Sequence, residues 1–368
     1  MKTVLLVFGT RPEAIKMCPL VKELRSRPGF RTLVCVTGQH RQMLHRVLDT
    51  FEVMPDFDLD LMQEGQSLFD ITGGVLAEMS RVLETAQPDL VLVQGDTTSA
   101  FAAALAAFYR QIPVGHVEAG LRTYNLYAPY PEEFNRRSIS LLAKYNFAPT
   151  QTAADNLLRE GTDPETVFVT GNTVIDALHT TVREDYRHEL LDWAADSRLV
   201  LLTAHRRESW GEPLRGMLRA IRRVTEECGN VKLLYPVHKN PQILQAAEEE
   251  LGGCERIRLT EPLDIPDFHN IMARAHLILT DSGGIQEEAP ALGKPVLVMR
   301  DTTERPEGVA AGTLRLVGTR EEDIYREFAR LLDDETAYDT MSRAVNPYGD
   351  GRASIRIADI LQTGSTKI

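Results

Sequence analysis

Short apolar, β-branched runs alternate along the chain with polar-faced segments of helical length. In the first half the runs are Thr3–Phe8, Thr32–Thr37, Leu90–Val93, Val114–Val117, the neighbours of Phe147, and Val167–Thr170. Between them lie helical intervals such as Ala14–Arg25, Gln42–Phe51, Ser67–Glu84 and Thr98–Tyr109. The series pauses near Gly171–Val182, where an irregular acidic stretch begins. It resumes with Leu199–Thr203, Val231–Val237, Ile257–Thr260, Leu277–Thr280, Val296–Met299 and Leu314–Val317, with helical intervals such as Pro213–Cys228 and Thr319–Leu332. Near-continuous apolar strands alternating with helices predict an α/β protein whose parallel sheets are covered on both faces. Two such series predict two Rossmann-like domains, residues 1–170 and 171–351. The C-terminal helix, about residues 352–368, is expected to pack back on the first domain. Ligands of such sheets bind beyond the carboxyl ends of the strands, so the active site is expected on post-strand loops, in a cleft between the domains.

Composition narrows the class. The chain has 368 residues with 43% hydrophobic and 26% charged residues, ordinary values for a soluble globular enzyme of more than one domain. Its 41 Lys and Arg against 53 Asp and Glu give a net charge of −12, which argues against nucleic acid and anionic membrane as partners. The longest strongly apolar run, Ala100–Phe108, is far short of the roughly 20 residues that span a bilayer. The N-terminal run Val4–Phe8 lacks a small-residue cleavage site, and the four cysteines form no CxxC pair, so a cytoplasmic protein with free thiols is expected.

Four post-strand features carry candidate chemistry. Gly9-Thr10-Arg11-Pro12-Glu13 has capping-box spacing and opens a helix, with Arg11 and Lys16 as local cations. Asp96, Glu118 and the pair Glu132-Glu133 stand at successive carboxyl ends of the first series, where clustered carboxylates suit proton abstraction and redelivery. His205-Arg206-Arg207-Glu208 follows directly on a strand of the second series and reads as an anion site. Asp281-Ser282-Gly283-Gly284 leads into a helix bearing Glu288, with Arg305 on a following loop. Small residues there leave backbone N–H groups open to a phosphate, and Glu288 can accept from ribose hydroxyls. No GxGxxG or GxxxxGK[ST] is present; the GxG at Gly349–Gly351 ends in Ser354 and follows no strand, so neither a nicotinamide cofactor nor a P-loop is indicated. The nine histidines show no zinc spacing, and no metal is expected. His116 reads as core packing, and Asp58-Leu59-Asp60 as strand alternation with solvent-facing acids.

Taken together, GTRPEAIKM (9–17), GQHRQML (38–44), QGDTTS (94–99), PVGHVEAGLRT (113–123), PEE with NR (131–136), TGNTVIDAL (170–178), AHRRES (204–209), YPVHKNP (235–241), TDSGGIQEEAPALGKPVLVMRDTTERPEGV (280–309) and NPYGDG (346–351) closely resemble the bacterial non-hydrolysing UDP-N-acetylglucosamine 2-epimerases over essentially the whole chain. The resemblance implies a glycosyltransferase B-like fold, a homodimer, and interconversion of UDP-N-acetylglucosamine and UDP-N-acetylmannosamine without a cofactor. It implies Asp96, Glu118 and Glu132 as acid/base residues and His205 at the leaving phosphate. It further implies Arg11, Lys16, Arg136, Ser282, Gly283, Gly284, Glu288 and Arg305 as substrate-binding residues, Phe268 against the uracil, and Leu263 contributing through its backbone. Gln39, Gln42, Arg206 and His238 match a second, activating UDP-N-acetylglucosamine site of relatives. The rival readings are a hydrolysing 2-epimerase that releases N-acetylmannosamine and UDP, a glycosyltransferase of the same fold, and a non-catalytic nucleotide-sugar sensor.

Overall fold

The computed structural model of the protein describes residues 1–38, 41–61 and 65–364, the side chains of 41–43 excepted. Gln39 and the side chain of Gln42 therefore lie outside the described residues. The chain divides into two compact units, Met1–Thr180 with Tyr348–Ile368, and Thr181–Pro347.

Among the described residues the first unit holds a seven-stranded parallel sheet. Its strands are β1 (Lys2–Phe8), β2 (Phe30–Val36), β3 (Phe57–Asp58), β4 (Leu90–Gln94), β5 (Val114–Val117), β6 (Tyr145–Ala148) and β7 (Val167–Val169), in the order β3-β2-β1-β4-β5-β6-β7. The second unit holds six parallel strands, β8 (Arg198–Thr203), β9 (Val231–Pro236), β10 (Ile257–Thr260), β11 (Leu277–Thr280), β12 (Val296–Val298) and β13 (Leu314–Leu316), in the order β10-β9-β8-β11-β12-β13. Both orders reverse direction once, between β1 and β4 and between β8 and β11. At that reversal the neighbouring crossover helices leave on opposite faces and open a crevice beyond the strand ends.

The apolar runs become the strands because they are buried on both faces. Leu5 pairs in register with Leu33 on one side and Val91 on the other, and all three are buried. The helix Thr98–Tyr109 lies on this sheet through Ala100, Ala103, Ala104 and Ala107, whose small side chains allow close approach. In the second unit Val200, Leu202, Leu233 and Leu279 pack with Met217, Ile221 and Phe328.

Two segments differ from the sequence reading. The strand around Asp58-Leu59-Asp60 is only two residues long, and Asp60 takes a left-handed φ of 45°, so alternation does not continue through it. The pause at Gly171–Val182 is a helix, Thr173–Thr181. Its Asp176 carboxylate accepts from the backbone N–H groups of Ala353 at 3.1 Å and Ser354 at 2.7 Å, which open the C-terminal helix Ala353–Thr363. That helix packs against the helix Arg11–Ser26, with Arg27 Nη1 2.5 Å from Asp359. The GxG of the sequence serves this junction: Gly351 has φ 76°, and a Cβ there would stand 2.0 Å from His179 Nε2.

Candidate active site

The reversal point of the first sheet collects the acids. After β1, Thr10 caps the helix Arg11–Ser26 and completes a capping box with Glu13. The buried Glu13 carboxylate accepts from Gly9 N at 2.8 Å, Thr10 N at 2.7 Å and the Thr97 hydroxyl at 2.6 Å, and so ties the loop after β1 to the loop after β4. Burial pushes its pKa up against those three donors. Arg11 opens the same helix, and Lys16, further along it, pairs with Glu118.

Asp96 follows β4 across Gly95, whose φ is 69°. Its carboxylate pairs with Arg136 and its main-chain oxygen accepts from Asn135 Nδ2 at 2.9 Å. Burial raises the Asp96 pKa, Arg136 pulls it back and Glu118 pushes it up again. Glu118 follows β5 in a left-handed conformation, φ 65°, which is costly for a residue with a Cβ and is characteristic of functional positions. Besides Lys16 it accepts from Gln94 Nε2 at 2.9 Å and faces Asn172 Nδ2 at 3.5 Å.

The Glu132-Glu133 pair at the start of the helix Glu132–Leu142 separates cleanly. Glu133 is wholly buried and accepts from Thr123 N at 3.0 Å and Tyr124 N at 3.1 Å, with Arg136 Nη1 at 3.5 Å, so it anchors the loop before it. Glu132 Oε2 is buried with no hydrogen-bond partner among the described residues. An unsatisfied buried acceptor in an otherwise well-bonded region is where a ligand proton is wanted.

The reversal point of the second sheet collects cations and open backbone. After β8, the N–H groups of His205 and Arg206 donate to buried Asp281 at 2.7 and 2.8 Å. His205 Nδ1 lies 3.3 Å from the same carboxylate, and its ring stacks on His238, after β9, at 5.8 Å. Burial lowers the His205 pKa below its ordinary value, with Asp281 opposing, so the ring is neutral near pH 7. After β11, Ser282 N donates to Thr280 Oγ1 at 2.9 Å, and Gly283 and Gly284 lead into the helix Ile285–Ala291. A Cβ on Gly283 would lie 3.8 Å from Arg206 Nη2, and one on Gly284 3.6 Å from Glu288 Oε1, so Arg206 stands beside the first glycine and Glu288 beside the second. Glu288 faces His269 Nε2 at 3.5 Å, next to Phe268 on the helix Ile265–Arg274. Leu263 is half-buried on the loop before that helix. Arg305 pairs with buried Glu287, and its N–H donates to Thr303 at 3.0 Å.

Of the described residues read from sequence, Arg11 and Lys16 follow β1, Asp96 follows β4, Glu118 and Glu132 follow β5, His205 and Arg206 follow β8, and Ser282, Gly283, Gly284 and Glu288 follow β11, whereas His238, Leu263, Phe268 and Arg305 stand beyond the flanking strands β9, β10 and β12. The sequence reading did not single out Gln94, Asn172, Glu287 or His269, and it named Asp281 without a role. Each acts on a partner distant in sequence. For Asp281, the signal available was its place immediately before Ser-Gly-Gly at a strand end.

The family model described as UDP-N-acetylglucosamine 2-epimerase matches residues 22–362. The chain belongs to that family. It is 57% identical to the UDP-N-acetylglucosamine 2-epimerase of Bacillus subtilis over 97% of this chain and 94% of that one. A solved structure from Listeria monocytogenes superposes with a TM-score of 0.95 at 52% identity, covering 99% of this chain and 97% of the other. The UDP-N-acetylglucosamine 2-epimerase of Neisseria meningitidis, solved bound to UDP-N-acetylglucosamine, does so at 0.89 and 46%, covering 98% and 99%. As a 2-epimerase of this family the chain is an isomerase, and its two α/β units are of the glycosyltransferase B-like fold.

Proposed function

We propose that this enzyme interconverts UDP-N-acetylglucosamine and UDP-N-acetylmannosamine without hydrolysis, by eliminating UDP and adding it back. Carbon 2 of the sugar is not adjacent to a carbonyl, so its proton is hardly acidic, and loss of a good leaving group from carbon 1 drives its removal. One carboxylate of the first unit takes the carbon-2 proton, the carbon 1–oxygen bond to UDP breaks, and 2-acetamidoglucal remains bound. A proton is then returned to carbon 2 on the opposite face and UDP re-forms its bond to carbon 1. Asp96, Glu118 and Glu132 supply the acid/base groups, a form of catalysis that contributes about 10²–10⁴-fold. Arg11, Lys16, Arg136 and Arg305 offset the charge of the departing diphosphate, and the neutral His205 ring stands at the leaving phosphate as a hydrogen-bonding group. Ser282, Gly283 and Gly284 present backbone to it, Glu288 holds the ribose, and Phe268 with the Leu263 backbone receives the uracil.

One observation carries this reading. Three carboxylates stand on the segments that follow β4 and β5, two of them held by cations and the third with a buried oxygen that has no hydrogen-bond partner among the described residues. The ligand named for the Neisseria meningitidis relative supports the substrate. The same reading includes an activating second UDP-N-acetylglucosamine near Gln39, Gln42, Arg206 and His238, and a cytoplasmic homodimer. Phe69, Phe108, Phe134 and Leu141 on helices of the first unit are exposed apolar side chains that a second copy could cover.

Incubation with UDP-N-acetylglucosamine in heavy water, followed by NMR, tests the proposal. The expected product is UDP-N-acetylmannosamine carrying deuterium at carbon 2. Product without deuterium would exclude elimination, and free N-acetylmannosamine with UDP would make the enzyme hydrolysing.

A further inference from the structure

His116 is wholly buried on β5, two residues before Glu118. Its neighbours on that strand, Val114 and Val117, are the apolar residues a core needs, and a third apolar side chain would have packed as well. Instead its two ring nitrogens reach two other segments. Nε2 lies 2.7 Å from the main-chain oxygen of Gly95, the residue before Asp96. Nδ1 lies 3.3 Å from the Ser140 hydroxyl, on the helix that carries Glu132 and Arg136. The same hydroxyl is 2.9 Å from the carbonyl oxygen of Arg136, which pairs with Asp96. Burial holds the ring pKa at about 4, so it is neutral and carries one proton. A carbonyl oxygen only accepts, so the proton sits on Nε2 and is donated to Gly95, leaving Nδ1 to face the hydroxyl.

We propose that His116 is a positioning residue: it fixes the Gly95 turn against the helix Glu132–Leu142 and so sets the mutual placement of Asp96, Glu118 and Glu132. Each of the three acids stands on a segment that this one ring either belongs to or touches. The proposal rests on the reading of those acids as the catalytic groups. Acid/base geometry tolerates little displacement, and an error near 1 Å costs about 100-fold in rate.

Two variants of similar polarity separate positioning from packing. The terminal amide of Gln reaches the place of Nε2, whereas that of Asn reaches only that of Nδ1. His116→Gln is expected to keep kcat within about fivefold, and His116→Asn to lose about 100-fold in kcat with KM changed less than about threefold. Asp96→Asn is measured beside them, with thermal unfolding of all three. Equal kcat for the Gln and Asn variants overturns the proposal, as does a loss carried by KM. Loss of the folded state in both also overturns it, showing His116 to be a structural residue alone. An active Asp96→Asn enzyme sinks the underlying reading of the acids instead. An inactive Asp96→Asn enzyme beside a fully active His116→Asn enzyme sinks only the role of His116.

Discussion

The two sheets share a strand order and put opposite chemistry at its reversal point. In the first unit the loops beyond β1, β4 and β5 present carboxylates, and cations serve them: Arg136 holds Asp96 and Lys16 holds Glu118. In the second unit the relation is turned round. Buried acids hold the groups proposed to face the ligand, Asp281 gripping the backbone of His205 and Arg206, and Glu287 pairing with Arg305. On the proposed function, one reversal point moves protons and the other grips an anion. With the proposed doubly charged ligand, the difference reconciles a net charge of −12 with anion binding, since a few fixed cations and open N–H groups at one place do what overall charge does not.

If that division is right, substitutions in the two units move different kinetic parameters. The largest effect is expected at Asp96. Asp96→Asn keeps size and polarity but ends proton transfer, so kcat is expected to fall by about 10³-fold while the affinity for UDP stays within about threefold. Steady-state kinetics beside calorimetric titration with UDP measures both. A large loss of UDP affinity with kcat intact would erase the distinction between the units.

How far the sequence foretold this division depends on the range of the contacts involved. Strands buried on both faces announce themselves as continuous apolar runs, so twelve of the strands stand where the runs are; the two-residue β3, whose single partner is β2, shows in the sequence only as alternation at Asp58-Leu59-Asp60, which runs past its end. The capping box at Thr10 was legible because it lies within four residues. The helix Thr173–Thr181 was missed because its justification is remote: Asp176 bonds to residues 353 and 354. The same reason hid Asn172, 54 positions from Glu118. Between Glu132 and Glu133 the sequence offers no choice, since both open one helix. The fold decides by aiming Glu133 at the backbone of Thr123 and Tyr124.

A smaller effect with a sign of its own is expected at Arg136. Asp96 acts as a base only when ionised, and burial already holds its pKa above the ordinary carboxylate value while Arg136 pulls it down. Arg136→Gln removes that pull, so the pKa rises further and the acid limb of the kcat–pH profile moves to higher pH. At neutral pH kcat is expected to fall roughly 30-fold, and the melting temperature to drop because Glu133 loses a charge partner as well. A limb that stays in place or moves to lower pH would mean Asp96 is not the group titrating.

The smallest effect sharpens the comparison from the other side. Gly283 has no left-handed backbone requirement, and a Cβ there would make ordinary contact with Arg206 at 3.8 Å, so the protein itself has room for alanine. Gly283→Ala is therefore expected to fold with an unchanged melting temperature. What the methyl group would obstruct is the approach of a phosphate to the backbone before Ile285. UDP is expected to bind about tenfold more weakly, and kcat at saturating substrate to stay within about threefold. This pattern is the reverse of that at Asp96. A variant that binds UDP as well as the parent enzyme would show that the glycines serve only the turn, and that the grip on the diphosphate lies with the arginines alone.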